Sequence, residues 1–309
     1  MSVGGPFEGW LRNAGASING GEWPYNRAYH QSHGTMRSMN KTTAPHRARK
    51  RFGQNFLRDQ GVIGRIIDAI HPLPADSIVE IGPGQGALTG LLVDSGCQLE
   101  VVELDRDLVP YLQASYGGAG NFNLHSADAL KFDYSALSNG ERSLRIVGNL
   151  PYNISTPLIF KLLENAHLIH DMHFMLQLEV VNRLAASPGN KNWGRLGIMA
   201  QYHCEIESLF EVPPSAFSPA PKVQSAIVRL QPRERSPWPP CDEAVLRKLV
   251  QAAFAQRRKT LRNNLKGILD SDALEELGID PGVRSETLEL GQFIDMANAV
   301  ASTEMTPEP

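Results

Sequence analysis

The sequence predicts an α/β protein, a mostly parallel sheet interleaved with helices, followed by a smaller all-α domain at the C-terminus. Three observations carry this prediction. From Asp59 to Leu178 short apolar runs alternate with helix-length stretches, as βαβ units do. The last two strand candidates are joined by a Pro-rich connection, which reads as antiparallel pairing at the sheet's end. A proline-rich, charged segment then gives way to a stretch dominated by helix formers. With 309 residues, 42 % of them apolar, the chain can hold more than one core, since single cores stop growing at roughly 250–300 residues.

From the N-terminus, Met1 to Thr43 is rich in Gly, Asn and Ser, carries scattered aromatics such as Trp10, Trp23 and Tyr25, and has no helical or strand period. Residues 1–43 are therefore expected to be a disordered leader. Met36 and Met39 lie just before the first regular signals, and one of them is expected to be the translation start; an intact mass of the endogenous protein checks this. The α/β region is expected over 44–235. Asp59 stands as an N-cap before Val62, Ile63, Ile66, Ile67 and Ile70, an apolar stripe at helical spacing. A strand, Ser77 to Ile81, a Gly-rich turn, a helix-like stretch from Ala87 to Asp94 and a second strand, Gln98 to Glu103, follow. Strands are expected at Asn121 to Ala127, Arg145 to Gly148 and Met172 to Leu178, the middle one leading through Asn149–Tyr152 into a helix that Ser155 is placed to cap. Glu205 to Val212 and Ser225 to Leu230 form the antiparallel pair. Gln231 to Pro240, with four prolines, reads as a linker. Residues 236–309 are expected to be a helical domain with a short flexible tail, with Val245, Leu246, Leu249, Val250, Ala253 and Phe254 as the core stripe of a helical run from Asp242 to Leu269.

Charge is nearly balanced, 30 Lys and Arg against 33 Asp and Glu, so a polyanion would have to be met by a local patch. Cys97, Cys204 and Cys241 are odd in number and far apart, which argues against a disulfide framework or a metal site and for a reducing compartment. No apolar run approaches the roughly 18–20 residues that span a bilayer, and no secretory signal opens the chain. The expectation is a cytoplasmic, monomeric protein with no metal and no membrane partner.

Glu80-Ile-Gly82-Pro-Gly84-Gln-Gly86-Ala-Leu-Thr89 lies between a strand and a helix, where glycines let the backbone turn tightly and approach a ligand. No Lys-Ser/Thr pair follows the glycines, so a P-loop is excluded. Glu103 ends the next strand, where a carboxylate accepts the hydroxyls of a ribose. Together they indicate an adenosine-containing cofactor. The G-x-G-x-G spacing and Asp128, which ends the third strand where it can meet an adenine amino group, favour S-adenosylmethionine over a dinucleotide; a plain turn residue is the alternative for Asp128.

Asn149-Leu150-Pro151-Tyr152 follows a strand at its C-terminal edge, where α/β proteins bind ligands. Methylating an adenine amino group requires localising a lone pair that is delocalised into the ring. Carbonyl acceptors aimed at the amino hydrogens do this and stabilise the charge that the nitrogen gains. Asn149 offers a side-chain carbonyl, and Pro151 fixes a path that exposes a backbone carbonyl. Tyr152 offers a stacking face. An ordinary turn is the competing reading.

At this point the sequence resembles the small-subunit rRNA adenine N6,N6-dimethyltransferases, over about Arg47 to Ala299. The landmarks are Arg51-Phe-Gly-Gln-Asn-Phe-Leu57, the glycine turn, Glu103-Leu-Asp105, the Asn149 tetrapeptide, Phe217-Ser-Pro-Ala-Pro-Lys-Val223 and Gln256-Arg-Arg-Lys-Thr-Leu-Arg262. The resemblance implies a Rossmann-like S-adenosylmethionine-dependent methyltransferase sheet, with Asn55, Leu57, Gly82, Glu103, Asp128 and Asn149 lining the cofactor site. It implies that Tyr152 and Phe217 sandwich the target adenine, with Asn149, Pro151, Tyr152 and Phe217 forming the catalytic set. It also implies a substrate, two adjacent adenosines in the 3′-terminal hairpin loop of 16S rRNA in the 30S subunit or its precursor. Departures from the family pattern are Leu178, where a basic residue is frequent, Gln224, where Asp is frequent, and Pro110, which interrupts the helix expected after Glu103.

Two basic clusters stand out, Arg47, Arg49, Lys50 and Arg51, and Arg257, Arg258, Lys259, Arg262 and Lys266. On a continuous helix Arg258, Arg262 and Lys266 share one face, and an rRNA substrate makes that face an expected phosphate contact. A macrolide-resistance-type enzyme acting on large-subunit rRNA, a ribosome-assembly factor in which methylation is secondary, and a nicotinamide oxidoreductase are the competing functions.

Overall fold

The computed structural model describes residues 55–304 apart from 139 and 141; the expected leader and the cluster from Arg47 to Arg51 lie outside the described residues. In chain order the elements are β1 (Phe56–Leu57), α1 (Gln60–Ile70), β2 (Ser77–Ile81), α2 (Thr89–Asp94), β3 (Gln98–Glu103), α3 (Leu108–Tyr116), β4 (Phe122–Ser126), β5 (Leu144–Asn149), α4 (Ser155–Leu163), β6 (Ile169–Gln177), α5 (Leu178–Leu184), α6 (Arg195–His203), β7 (Cys204–Val212), β8 (Phe217–Ser218), β9 (Ser225–Pro232), α7 (Glu243–Ala253), α8 (Leu261–Asn264), α9 (Ser271–Glu276) and α10 (Leu290–Glu304).

The start of α1 follows from one side chain: Asp59 accepts the Val62 N–H at 3.0 Å, satisfying a donor that the first turn leaves open. Val62, Ile63, Ile66 and Ile70 bury the stripe, each contributing about 1.5–3 kcal/mol. Arg145 of β5 secures the far end, donating to the Ile70 carbonyl at 2.6 Å. Pro110 does not break α3, because it is the third residue, where the backbone N–H has no intrahelical partner to lose.

Seven strands form one sheet in the order β4-β3-β2-β5-β6-β9-β7. The first five are parallel, and β9 pairs antiparallel with both β6 and β7, as expected from the Pro-rich connection. One apolar core on the sheet carries Leu158, Ile159 and Leu162 of α4 with Val181 and Leu184 of α5. A second carries the α1 stripe with Leu92 of α2 and Leu112 of α3. The fold is thus Rossmann-like, with helices covering both faces of the sheet and the central strands β2 and β5 buried along most of their length. A third core joins Leu246, Leu249 and Val250 of α7 to Phe293 and Ile294 of α10, and it includes Trp193, Ile198 and Met199 from the chain before β7. The charged, Pro-rich segment is held in place: Arg142 donates to the carbonyls of Pro232 and Arg233 at 3.0 and 2.9 Å, and the Arg233 guanidinium lies over Trp238.

Two expectations are corrected. Ser155 does not cap α4; Ile154 holds that position, and the Ser155 hydroxyl instead donates to the Tyr152 carbonyl at 3.2 Å. The helical run expected from Asp242 to Leu269 ends at Ala253, whose carbonyl is taken by the Asn264 amide at 2.6 Å and the Ser285 hydroxyl at 2.6 Å. Leu261 N–H then goes to Val283 O, so a turn separates α7 from the single turn of α8.

Candidate active site

In the sheet order, β2 lies between β3 and β5, and the chain turns outward in opposite directions from this pair. A crevice opens outside the carboxyl ends of strands at such a switch point. The glycine turn leaves β2 there, with Gly82, Gly84 and Gly86 at φ of 66°, 59° and 83°, a region that side chains with a Cβ avoid. A Cβ on Gly84 would stand 3.1 Å from the Phe56 ring, and one on Gly86 would stand 2.7 Å from the Tyr116 hydroxyl. The turn therefore presents bare backbone to the crevice.

Glu103 ends β3 with 7 % exposure. Its carboxylate accepts the Asp105 N–H at 2.7 Å. Burial pushes its pKa up, while N–H groups of Asp105, Gly84 and Leu104 pull it down. Asp128 accepts the Leu130 N–H at 3.0 Å, so it caps a turn and lines the crevice at once. Sequence reasoning gave no role to Glu80, which is 2 % exposed and accepts the Thr89 hydroxyl at 2.7 Å. Burial, with Glu103 nearby, raises its pKa to about 7. The available signal was an acidic residue inside an otherwise apolar strand, two positions before the first glycine.

Asn149 ends β5, and its side-chain amide nitrogen donates to the Asn55 carbonyl at 3.2 Å. That bond assigns the amide orientation and turns Oδ1 into the free acceptor; among the described residues no donor takes it. Leu150 N–H is held by Met175 O at 3.2 Å and Pro151 O accepts from Ile154 at 3.1 Å, which leaves the Leu150 carbonyl as the second available acceptor among the described residues. The Tyr152 hydroxyl is 2.7 Å from Ser225 Oγ.

Asn55, Leu57, Gly82, Glu103, Asp128, Asn149, Pro151 and Tyr152 line one cavity, together with Phe56, Glu80, Leu104 and Asn153. Phe217 is not among its lining residues. It is 6 % exposed and lies in β8, where it pairs with Leu57 of β1. That two-residue ribbon ties the Phe217 segment to the segment carrying Asn55, and the Arg58 N–H adds a 2.8 Å bond to Ala216 O. Arg258, Arg262 and Lys266 are exposed, but the common helix face expected for them does not exist: Arg262 alone is in α8, and the other two stand in turns. Arg257 is a strut, donating to Glu286 at 3.2 Å and to the Lys191 carbonyl. No three His, Cys, Asp or Glu side chains gather as a metal site among the described residues, and none of the described helices is long and apolar enough to cross a membrane.

A family model described as "Ribosomal RNA adenine dimethylase" matches residues 45–302. "Ribosomal RNA small subunit methyltransferase A" of Pseudomonas savastanoi pv. phaseolicola is 60 % identical over 261 residues, spanning 84 % of this chain and 97 % of its own. Among solved structures, a dimethyladenosine transferase from Plasmodium falciparum aligns with a TM-score of 0.70 at 26 % identity, over 81 % of this chain and 98 % of its own. The 23S rRNA methyltransferase ErmE aligns with a TM-score of 0.62 at 27 % identity, over 80 % of this chain and 100 % of its own.

Proposed function

The chain belongs to the ribosomal RNA adenine dimethylase family, and from that premise we propose that it methylates N6 of two adjacent adenosines in the 3′-terminal hairpin loop of 16S rRNA, twice each. It is an S-adenosylmethionine-dependent rRNA adenine dimethyltransferase. Its setting in this reading is the cytoplasm, acting as a monomer on the 30S subunit or its precursor during small-subunit biogenesis.

The residues present fit the methyl donor. Gly82 and Gly84 line the cavity with bare backbone, and a Cβ on Gly84 would meet the Phe56 ring of the same lining at 3.1 Å; Glu103 offers a carboxylate to ribose hydroxyls, and Asp128 is assigned to the adenine amino group. Asn55, Leu57 and Gly82 complete the holding set. Bound there, S-adenosylmethionine supplies an electrophilic methyl group on a positively charged sulfur.

The carrying observation is the orientation of Asn149. Its amide donates to Asn55, so Oδ1 is left to accept from the amino group of the target base, with the Leu150 carbonyl as partner. Two preorganised acceptors favour a pyramidal nitrogen and stabilise the charge it develops. Pro151 fixes the backbone path between them, and Tyr152 supplies a stacking face from the cavity wall; Phe217, buried in β8 outside that lining, is not assigned the second face. A strong base is not required, because the methylated nitrogen is acidic enough to lose its proton to water. Exposed Arg258, Arg262 and Lys266 are assigned to phosphates of the rRNA, as separate contacts from two turns and the short helix between them.

A large-subunit activity, which the likeness to ErmE would favour, is weaker on identity, 27 % against 60 % for the relative named for the small subunit. Methyl transfer to isolated, unmethylated 30S and 50S particles separates the two. Incorporation into 30S alone is expected, and incorporation into 50S overturns the reading.

A further inference from the structure

Stacking a base needs only an aromatic face, which phenylalanine would supply as well as tyrosine. Tyr152 nevertheless places its hydroxyl 2.7 Å from Ser225 Oγ. Ser225 has no exposed surface, and it is held from both sides, opposite Gln177 of β6 and Val212 of β7. The residue before it is tied equally well: the Gln224 carbonyl accepts the Leu178 N–H at 2.9 Å, and its side chain donates to Glu211 at 2.6 Å. The sheet, not the loop that carries the tetrapeptide, therefore sets the position of this hydroxyl. At its other end the Tyr152 carbonyl is held by Ser155. The residue is thus held at its hydroxyl and at its backbone.

We propose that Ser225 is a positioning residue for adenine methylation: its hydroxyl latches the Tyr152 phenol and so sets the plane of the ring on which the target base stacks beside Asn149. This rests on the stacking role of Tyr152. A half-buried tyrosine without the latch regains freedom at its side-chain torsions, and a base stacked on it then samples positions outside the narrow range from which transfer occurs. Because Ser225 lies outside the lining of the cavity that holds the donor and the latch touches none of the assigned phosphate contacts, its loss acts on the chemical step more than on binding.

The test compares Tyr152→Phe, Ser225→Ala and the double variant in single-turnover methyl transfer to unmethylated 30S subunits, with donor affinity measured in parallel. Each single variant is expected to slow the step by about two- to tenfold, the range of one net hydrogen bond. KM for RNA and donor affinity stay unchanged, and the double variant is no slower than the slower single one. A hairpin carrying 2-aminopurine at the target position is expected to be quenched less by both single variants than by the unaltered protein. Should Ser225→Ala fail to fold, Tyr152→Phe breaks the same bond with Ser225 in place and carries the same expectation. Additive losses, or a Tyr152→Phe variant with unaltered rate and quenching, overturn the latch alone. An unaltered protein that places no methyl on adenine overturns the latch and the functional reading together.

Discussion

Replacing Asn149 with alanine removes two things carried by separate atoms. The first is Oδ1, the proposed acceptor for the amino group. Deleting one preorganised group that stabilises developing charge costs about 10²–10³ in kcat, roughly 2.7–4 kcal/mol. The second is the 3.2 Å bond from the side-chain nitrogen to Asn55 O, which ties the segment before β1 to the end of β5. Its net value, about 0.5–1.5 kcal/mol, weakens donor affinity by no more than about tenfold. Asn149→Asp keeps oxygen acceptors but sets a carboxylate against the Asn55 carbonyl. It is therefore expected to match alanine in donor affinity while losing less rate. Single-turnover methyl transfer at saturating RNA and donor, with calorimetric titration of the donor, separates the two effects. An Asn149→Ala variant within tenfold of the unaltered kcat would refute the acceptor role.

Gly86→Ala is expected to weaken donor affinity about tenfold by titration calorimetry and to leave RNA affinity alone, because the φ of 83° costs an alanine about 1–2 kcal/mol and its Cβ would meet Tyr116 at 2.7 Å. Arg145→Met is expected to lose about 3–5 kcal/mol in urea unfolding, since the guanidinium bonds both oxygens of the buried Asp171 at 3.0 and 2.8 Å and Asp76 at 2.6 Å. His173 is 4 % exposed, neither ring nitrogen has a hydrogen-bond partner among the described residues, and burial lowers its pKa from 6.5 to about 4. The unfolded chain takes this proton first, so the contribution is complete above about pH 6.5 and fades as pH falls towards 4, about 3 kcal/mol in all; stability curves of His173→Leu should lose that acid slope. Arg258→Glu with Arg262→Glu should weaken RNA binding and flatten its salt dependence while donor affinity is unchanged, as a filter-binding salt series reads directly.

Features fixed by neighbouring residues were legible in the sequence. Asp59 caps α1 because its partner is three residues away, and the glycine turn needs its φ values whatever packs above it. The strand order of residue types gave the parallel sheet and the antiparallel end, and every cofactor-site residue named from the family pattern lines one cavity. What escaped depends on distant partners. The end of α7 is set by Asn264 and Ser285, 11 and 32 residues further on, so helix periodicity ran through it and placed Arg258, Arg262 and Lys266 on a face that does not form. Phe217 sits where β1 pairs with it, a ribbon of two residues too short to leave a pattern. Ser225 read as an ordinary strand residue, because nothing local marks a hydroxyl whose partner is 73 residues away. Glu80 is a further case, since only the fold shows that its strand is covered on both faces.

We propose dimethylation of adenine in small-subunit rRNA as the activity of this chain. Its most direct test is reaction of the protein with unmethylated 30S subunits and S-adenosylmethionine, followed by nucleotide mapping of the modified RNA by mass spectrometry. The expected result is N6,N6-dimethyladenosine at two adjacent positions in the 3′-terminal hairpin loop of 16S rRNA and nowhere else. Methyl groups on another base, on separated adenosines, or on 23S rRNA would contradict it.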